Sequence, residues 1–221
     1  MKASNELTIR IDPNGPRVRL ESCEGGIVTC KEISQDSFFG CIKDSVDRDE
    51  VSSGLLPQNC FHVSILPSGE RRFCLWHPAR RADISYYGTE YKDFPLPRLV
   101  FGFQVSATGK VYQCTLGVVE DERLSEKTRM YAYPFSNVGG FKLCTGNNAL
   151  PTYQNVQTLA TLPYFLLRLP NNNDSFHKAH NLLGLDHRTL LNHLKDKSPD
   201  YYYGNILVPN NKTLKDFISG R

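Results

Sequence analysis

Cys144 is the residue of this chain best placed to act as a nucleophile, because of the run that leads into it: Tyr131-Ala132-Tyr133-Pro134-Phe135-Ser136-Asn137-Val138-Gly139-Gly140-Phe141-Lys142-Leu143-Cys144-Thr145-Gly146. An aromatic-Pro turn is followed by an Asn, a Gly-Gly reversal and a short apolar stretch ending in a thiol flanked by Thr145-Gly146. This layout presents the thiol at the end of an extended segment, with an amide side chain seven residues upstream able to fold back beside it. A thiol that carries an acyl group, next to a neutral donor for the developing oxyanion, is what acyl transfer needs. Asn137 has a second reading, as a turn residue that tolerates left-handed φ beside Gly139-Gly140. Lys142 shares the face of Cys144 if the segment is extended, where it could lower the thiol pKa or meet an acidic partner. The competing reading is a solvated surface lysine.

The other residues capable of chemistry form weaker patterns. Seven cysteines, Cys23, Cys30, Cys41, Cys60, Cys74, Cys114 and Cys144, are odd in number and widely spaced, with no Cys-x-x-Cys pair. Neither a disulfide framework nor a structural zinc site is expected. Cys74 and Cys114 stand in strand-like runs and read as small buried hydrophobes. His177, His180, His187 and His193 lack the Glu or Cys that would complete a ligand set, so they read as surface or capping residues and no metal is expected. One of them could pair with Cys144 as a cysteine-peptidase dyad, but no Gln shortly before the Cys supplies a papain-like oxyanion hole. His77-Pro78-Ala79 is followed by neither an Asn nor a nearby Cys. Gly139-Gly140 is too short for a phosphate loop, so no nucleotide or other cofactor is expected.

These residues must be positioned by a fold that 221 residues, 40% hydrophobic and 11% aromatic, can build around a core. The net charge is +3, from 26 basic and 23 acidic residues spread along the chain. No block of like charge calls for nucleic acid or an anionic membrane. The start has no apolar leader and no stretch reaches transmembrane length, so a cytoplasmic protein is the simplest reading. Leu7, Ile9 and Ile11 alternate, Pro13-Asn14-Gly15-Pro16 turns the chain, and Val18 and Leu20 alternate again, which predicts a hairpin. Phe38, Phe39, Ile42 and Val46 follow at helical spacing over 34–46, with Ser34 or Ser37 as cap, although Gly40 weakens that helix. Strands are predicted over 61–66, 71–76, 98–105 and 110–116, the first two joined through Pro67-Ser68-Gly69. Residues 83–97 read as a mobile connection and 120–127 as a charged loop. After Cys144, Leu159, Leu162, Phe165, Leu166 and Leu169 give a helical face over 155–169, interrupted by Pro163. Asn171-Asn172-Asn173-Asp174 breaks the chain. Asp186 and Asn211 are then expected to cap two short helices.

The run ending at Cys144 resembles the active-site segment of ubiquitin-conjugating enzymes, in which His-Pro-Asn precedes a short turn, a Gly, a hydrophobic residue and a thioester-forming Cys. Asn137-Val138, Gly140 and Leu143-Cys144 carry the likeness. It is closest to the prokaryotic ubiquitin-conjugating-like family D, also called PRTRC system protein B, through Pro134-Phe135-Ser136-Asn137-Val138, Cys144-Thr145-Gly146 and Pro151. Leu55-Leu56-Pro57-Gln58-Asn59, Trp76-His77-Pro78-Ala79 and Pro97-Arg98-Leu99-Val100-Phe101 add weaker landmarks. The resemblance implies an α+β fold of the ubiquitin-conjugating type, a four-stranded antiparallel meander with flanking helices over 31–169. An N-terminal hairpin over 1–30 and a helical C-terminal extension over 170–221 complete the chain. It also implies a conjugating transferase: Cys144 accepts a ubiquitin-like protein from a ThiF-type activating enzyme as a thioester and passes it to an amine. Asn137 then assists, Tyr133, Pro134, Gly140 and Lys142 support, and a metal-dependent deconjugating peptidase belongs to the same cassette. The imidazole of the classical His-Pro-Asn is absent here, and Tyr133 is a candidate for any structural role it has. A binding scaffold without catalysis is the alternative.

Overall fold

The computed structural model describes residues 6–24, 26–45, 53–66 and 68–220. Val46 and Pro67, named above for a helix and a turn, lie outside them. The chain divides into two compact units, residues 1–52 and 53–221. The whole is a mixed α/β structure with antiparallel sheets and few helices. Among the described residues, no helix is long and apolar enough to cross a membrane.

In the first unit, β1 (Glu6–Ile11), β2 (Arg17–Glu24) and β3 (Ile27–Ser34) pair in order. The expected hairpin is present and gains a third strand, so a boundary at residue 30 falls inside β3. The turn closes on Asp12, whose Oδ1 accepts from the Asn14 amide at 2.9 Å. Helix α1 (Gln35–Ser45) begins where the Ser34 hydroxyl accepts from the Ser37 amide at 3.0 Å, an N-cap bond. Val18 and Phe38 are buried in this unit.

The second unit is built on β4 (Cys60–Ile65), β5 (Arg71–His77), β6 (Arg80–Tyr86), β7 (Thr89–Leu96), β8 (Leu99–Val105), β9 (Val111–Val119), β10 (Arg129–Tyr131), β11 (Val138–Gly139) and β12 (Lys142–Leu143). Helices α2 (Leu162–Leu167), α3 (His187–Leu194) and α4 (Tyr202–Asn205), strand β13 (Pro209–Thr213) and helix α5 (Leu214–Ser219) complete it. The main sheet runs β11-β12-β9-β8-β5-β4, with β10 bridging β9 to β13. Its centre, β8, is apolar at nearly every position because both faces are covered. Leu99, Phe101, Phe103 and Val105 face a core shared with Leu159, Leu162, Leu166, Leu190, Leu191 and Leu194. Val100 faces a smaller cluster with Cys74, Met130, Leu214 and Phe217.

Three expectations are corrected. Residues 83–97 are no mobile connection: they lie mostly within the β6–β7 hairpin, whose Ile84, Tyr86, Tyr91, Phe94 and Leu96 are buried. Its reversal, Tyr87-Gly88, has φ of 45° and 77°, the two positive values of a type I′ turn, without the Asn-Gly or Asp-Gly that usually announces one. Pro163 does not interrupt a helix but starts one. A 3-10 turn (Val156–Thr161), capped by Asn155, leads into α2, where Pro163 sits in the first turn and its missing N–H costs nothing. Asn211 lies in β13 and caps nothing; α5 is capped by Thr213, which exchanges bonds with Asp216 in a capping box. Asp186 does cap α3, accepting from the Thr189 amide at 3.1 Å.

Candidate functional site

Cys144 follows directly on a miniature hairpin. Val138 pairs with Leu143 and Gly139 with Lys142, leaving Gly140-Phe141 as a two-residue reversal. Gly140 has φ of 61°, as the first central position of a type II′ turn requires, so glycine is needed here for its backbone and not for space. The hairpin is docked on the main sheet through Lys142 against Thr115 and through the Leu116 amide, which donates to the Phe141 carbonyl at 2.8 Å. Strand alternation then sets directions within the hairpin: Val138 and Leu143 go into the core and Lys142 stays exposed, while Cys144, just past β12, is exposed as well. The Cys144 amide donates to the Asn137 carbonyl at 2.7 Å, so these two residues face each other across the open end of the hairpin.

Asn137 is held from both sides. Pro134, Phe135 and Ser136 before it are buried, with the Phe135 ring set edge-on to Phe94, Tyr133 and Tyr202. Its own φ is 67°, the left-handed conformation that Asn tolerates better than other non-glycine residues. Its side-chain Nδ2 donates to the Pro170 carbonyl at 3.1 Å. One amide proton is therefore committed to fixing the side chain, and a second remains on the same nitrogen.

The segment 170–174, of which Asn171 to Asp174 reads from sequence only as a break, forms the opposite wall. The Asn137 amide donates to the Asp174 carbonyl at 2.8 Å. The Ser136 hydroxyl donates to Asn171 Oδ1 at 3.0 Å and accepts from the Asn172 amide at 3.3 Å. Asn172 Oδ1 accepts from the Asp174 amide at 2.7 Å, closing an Asx turn. The signal was present in the side chains: consecutive Asn and Asp residues bond neighbouring backbone, and here they also bond a distant loop. Between wall and hairpin lies an open recess of about 210 Å³ lined by Asn137, Cys144, Thr145, Asn148, Leu169 and Asp174, among others.

The remaining candidates separate. Tyr133 is buried, and burial pushes its phenol pKa up, so it acts as a packed ring beneath the turn. Lys142 does not line the Cys144 recess but a second pocket of about 450 Å³, with Phe141, His180 and Lys212. Cys74 and Cys114 are buried, and burial pushes both thiols up to about 12. Exposure alone does not single out Cys144, because Cys30 and Cys41 of the first unit are exposed too. The histidines do not form a dyad with it. His187 is buried with Nδ1 on the Asn172 carbonyl, His193 contacts Tyr201, and His177 and His180 pack on each other. His77 is enclosed against Phe101 and Tyr164.

A family model described as prokaryotic E2 family D matches residues 41–209, more than half of the chain and all of the hairpin, turn and wall. No curated protein and no solved structure matches significantly. The chain belongs to prokaryotic E2 family D, a family with a ubiquitin-conjugation-related role.

Proposed function

We propose that this protein is a conjugating transferase that carries a ubiquitin-like protein as a thioester on Cys144. Family membership supports the reaction class, and one structural observation supports the residue: an exposed thiol at the open end of a sheet-anchored hairpin, paired across it with Asn137. In the first step the Cys144 thiolate attacks the thioester that a ThiF-type activating enzyme holds with the C-terminal carbonyl of the ubiquitin-like protein. The oxyanion collapses and expels the activating enzyme's thiolate. In the second step an amine attacks the Cys144 thioester, Asn137 donates its uncommitted N–H to the oxyanion, and the amide forms as the Cys144 thiolate leaves and the amine loses a proton. No cofactor enters this step, since the thioester itself stores the driving force. Strands β4, β5, β8 and β9 take the place of the ubiquitin-conjugating meander, with Tyr133, Pro134 and Gly140 supporting the active-site turn. A metal-dependent deconjugating peptidase of the same cassette would reverse the modification.

The test is charging. With activating enzyme, ubiquitin-like protein and ATP, the wild type forms an adduct that reducing agent releases, and Cys144→Ala does not. Binding of the ubiquitin-like protein with no adduct on any cysteine would overturn the catalytic reading in favour of a scaffold.

A further inference from the structure

His187 lies at the start of α3, outside the recess, yet it touches both halves of the site. Its Nδ1 is 2.8 Å from the Asn172 carbonyl; a carbonyl only accepts, so Nδ1 carries the proton. Its ring stacks on Phe176 at 4.5 Å and 2°, just after the wall, and on Phe135 at 6.0 Å and 26°, two residues before Asn137. Tyr86 stands edge-on to it at 4.5 Å and sends its own hydroxyl to Asn173 Oδ1 at 2.9 Å. One side chain thus ties the turn to the wall, and the two meet again where the Asn137 amide donates to the Asp174 carbonyl. His187 is only 2% exposed and its Nε2 has no hydrogen-bond partner. Burial accordingly pushes its pKa down to about 4, so it is neutral at physiological pH. A phenylalanine would fill this aromatic box without a buried unpaired nitrogen, so packing alone does not account for a histidine here.

We infer that His187 is a positioning residue for amine transfer, holding segment 170–174 against the Asn137 turn through its Nδ1–H and its stacked ring. This rests on the reading of Cys144 as the thioester carrier. The inference separates two steps. Charging needs only an exposed thiol, whereas discharge needs the Asn137 amide fixed at the oxyanion, and that fixing depends on Pro170 and Asp174 staying in place.

Two variants test it. His187→Phe keeps the stack and removes the bond; His187→Asn restores an N–H at the Nδ1 position. His187→Phe is expected to melt within a few degrees of wild type and to charge at the wild-type rate. It should discharge to free lysine about tenfold more slowly, and its Asn137 amide should exchange with solvent about tenfold faster. His187→Asn should recover part of the discharge rate. Wild-type discharge by His187→Phe, equal slowing of both steps, or loss of its fold would each overturn the positioning role. If the wild type itself never charges, the functional reading fails, while the exchange rate of Asn137 still decides whether His187 holds the turn.

Discussion

Replacing Asn137 separates its backbone role from its amide, because the structure assigns it both. Its φ of 67° is disfavoured for alanine by about 1 kcal/mol or more. Its Nδ2 bond to the Pro170 carbonyl contributes about 1 kcal/mol net. Asn137→Ala loses both and should be destabilised by about 2 kcal/mol. Asn137→Gly loses only the bond, since glycine accepts this φ freely, and should cost about 1 kcal/mol. For a chain of this size the difference between the two variants corresponds to about 2–4 °C in Tm. Transfer behaves differently, because neither residue can donate to an oxyanion. Single-turnover discharge of the purified thioester to lysine should fall by about 10²–10³ in both variants alike, with charging much less affected. Melting curves and discharge rates measured on the same preparations give both quantities. An Asn137→Gly variant that discharges at the wild-type rate would refute the oxyanion role and leave Asn137 as a turn residue. Discharge that tracks Tm across the two variants would show that the defect is structural.

Gly140→Ala tests the hairpin geometry: no atom lies within 4 Å of the added Cβ, so the expected cost is backbone strain alone, about 1 kcal/mol by urea denaturation. A loss several times larger would mean that the reversal is packed as well as strained. Acid sensitivity should come partly from the buried imidazoles of His77 and His187, which burial pushes down from 6.5 to about 4. The unfolded chain takes up their protons first, so stability is unaffected above pH 6.5 and falls as pH drops from there towards 4, by up to about 3 kcal/mol for each group. His77→Leu should lose measurably less stability than wild type between pH 7 and pH 4.5, and an equal loss would contradict the neutral, buried state of His77.

The exposed turn that presents Cys144 was legible because its signals are local. Asn137, Gly140 and Cys144 sit within one short run, and a reversal followed by two strand residues buries Leu143 and ends at the exposed Cys144. Strands β4, β5, β8 and β9 were legible for the same reason, being strand-like runs bounded by turn residues. Legibility failed where partners are distant in sequence. Nothing in Asn171-Asn172-Asn173-Asp174 says that it will meet Ser136 and Asn137 some 35 residues earlier, because the few bonds involved, of side chains and of single backbone groups, leave no periodicity. The β6–β7 hairpin was missed because Tyr87-Gly88 is an uncommon pair for its turn. Lys142 is exposed, and it lines a different pocket from Cys144 because the extended segment ends at Leu143. His187 was read as a surface or capping residue; its stacking partners lie 11 and 52 residues away.

The central claim is that one particular thiol carries the acyl group, and the most direct measurement is the site and chemistry of the bond. Charging should be run on wild type, on Cys144→Ala, Cys144→Ser and Cys144→Lys, and on the two other exposed cysteines as Cys30→Ala and Cys41→Ala, with the adducts mapped by peptide mass spectrometry. A thiol-sensitive adduct on Cys144 is expected in wild type, Cys30→Ala and Cys41→Ala. In Cys144→Ser and Cys144→Lys the adducts should resist added thiol, being an ester and an amide at residue 144. A thioester that maps to Cys30 or Cys41, or one that survives Cys144→Ala, would contradict the claim.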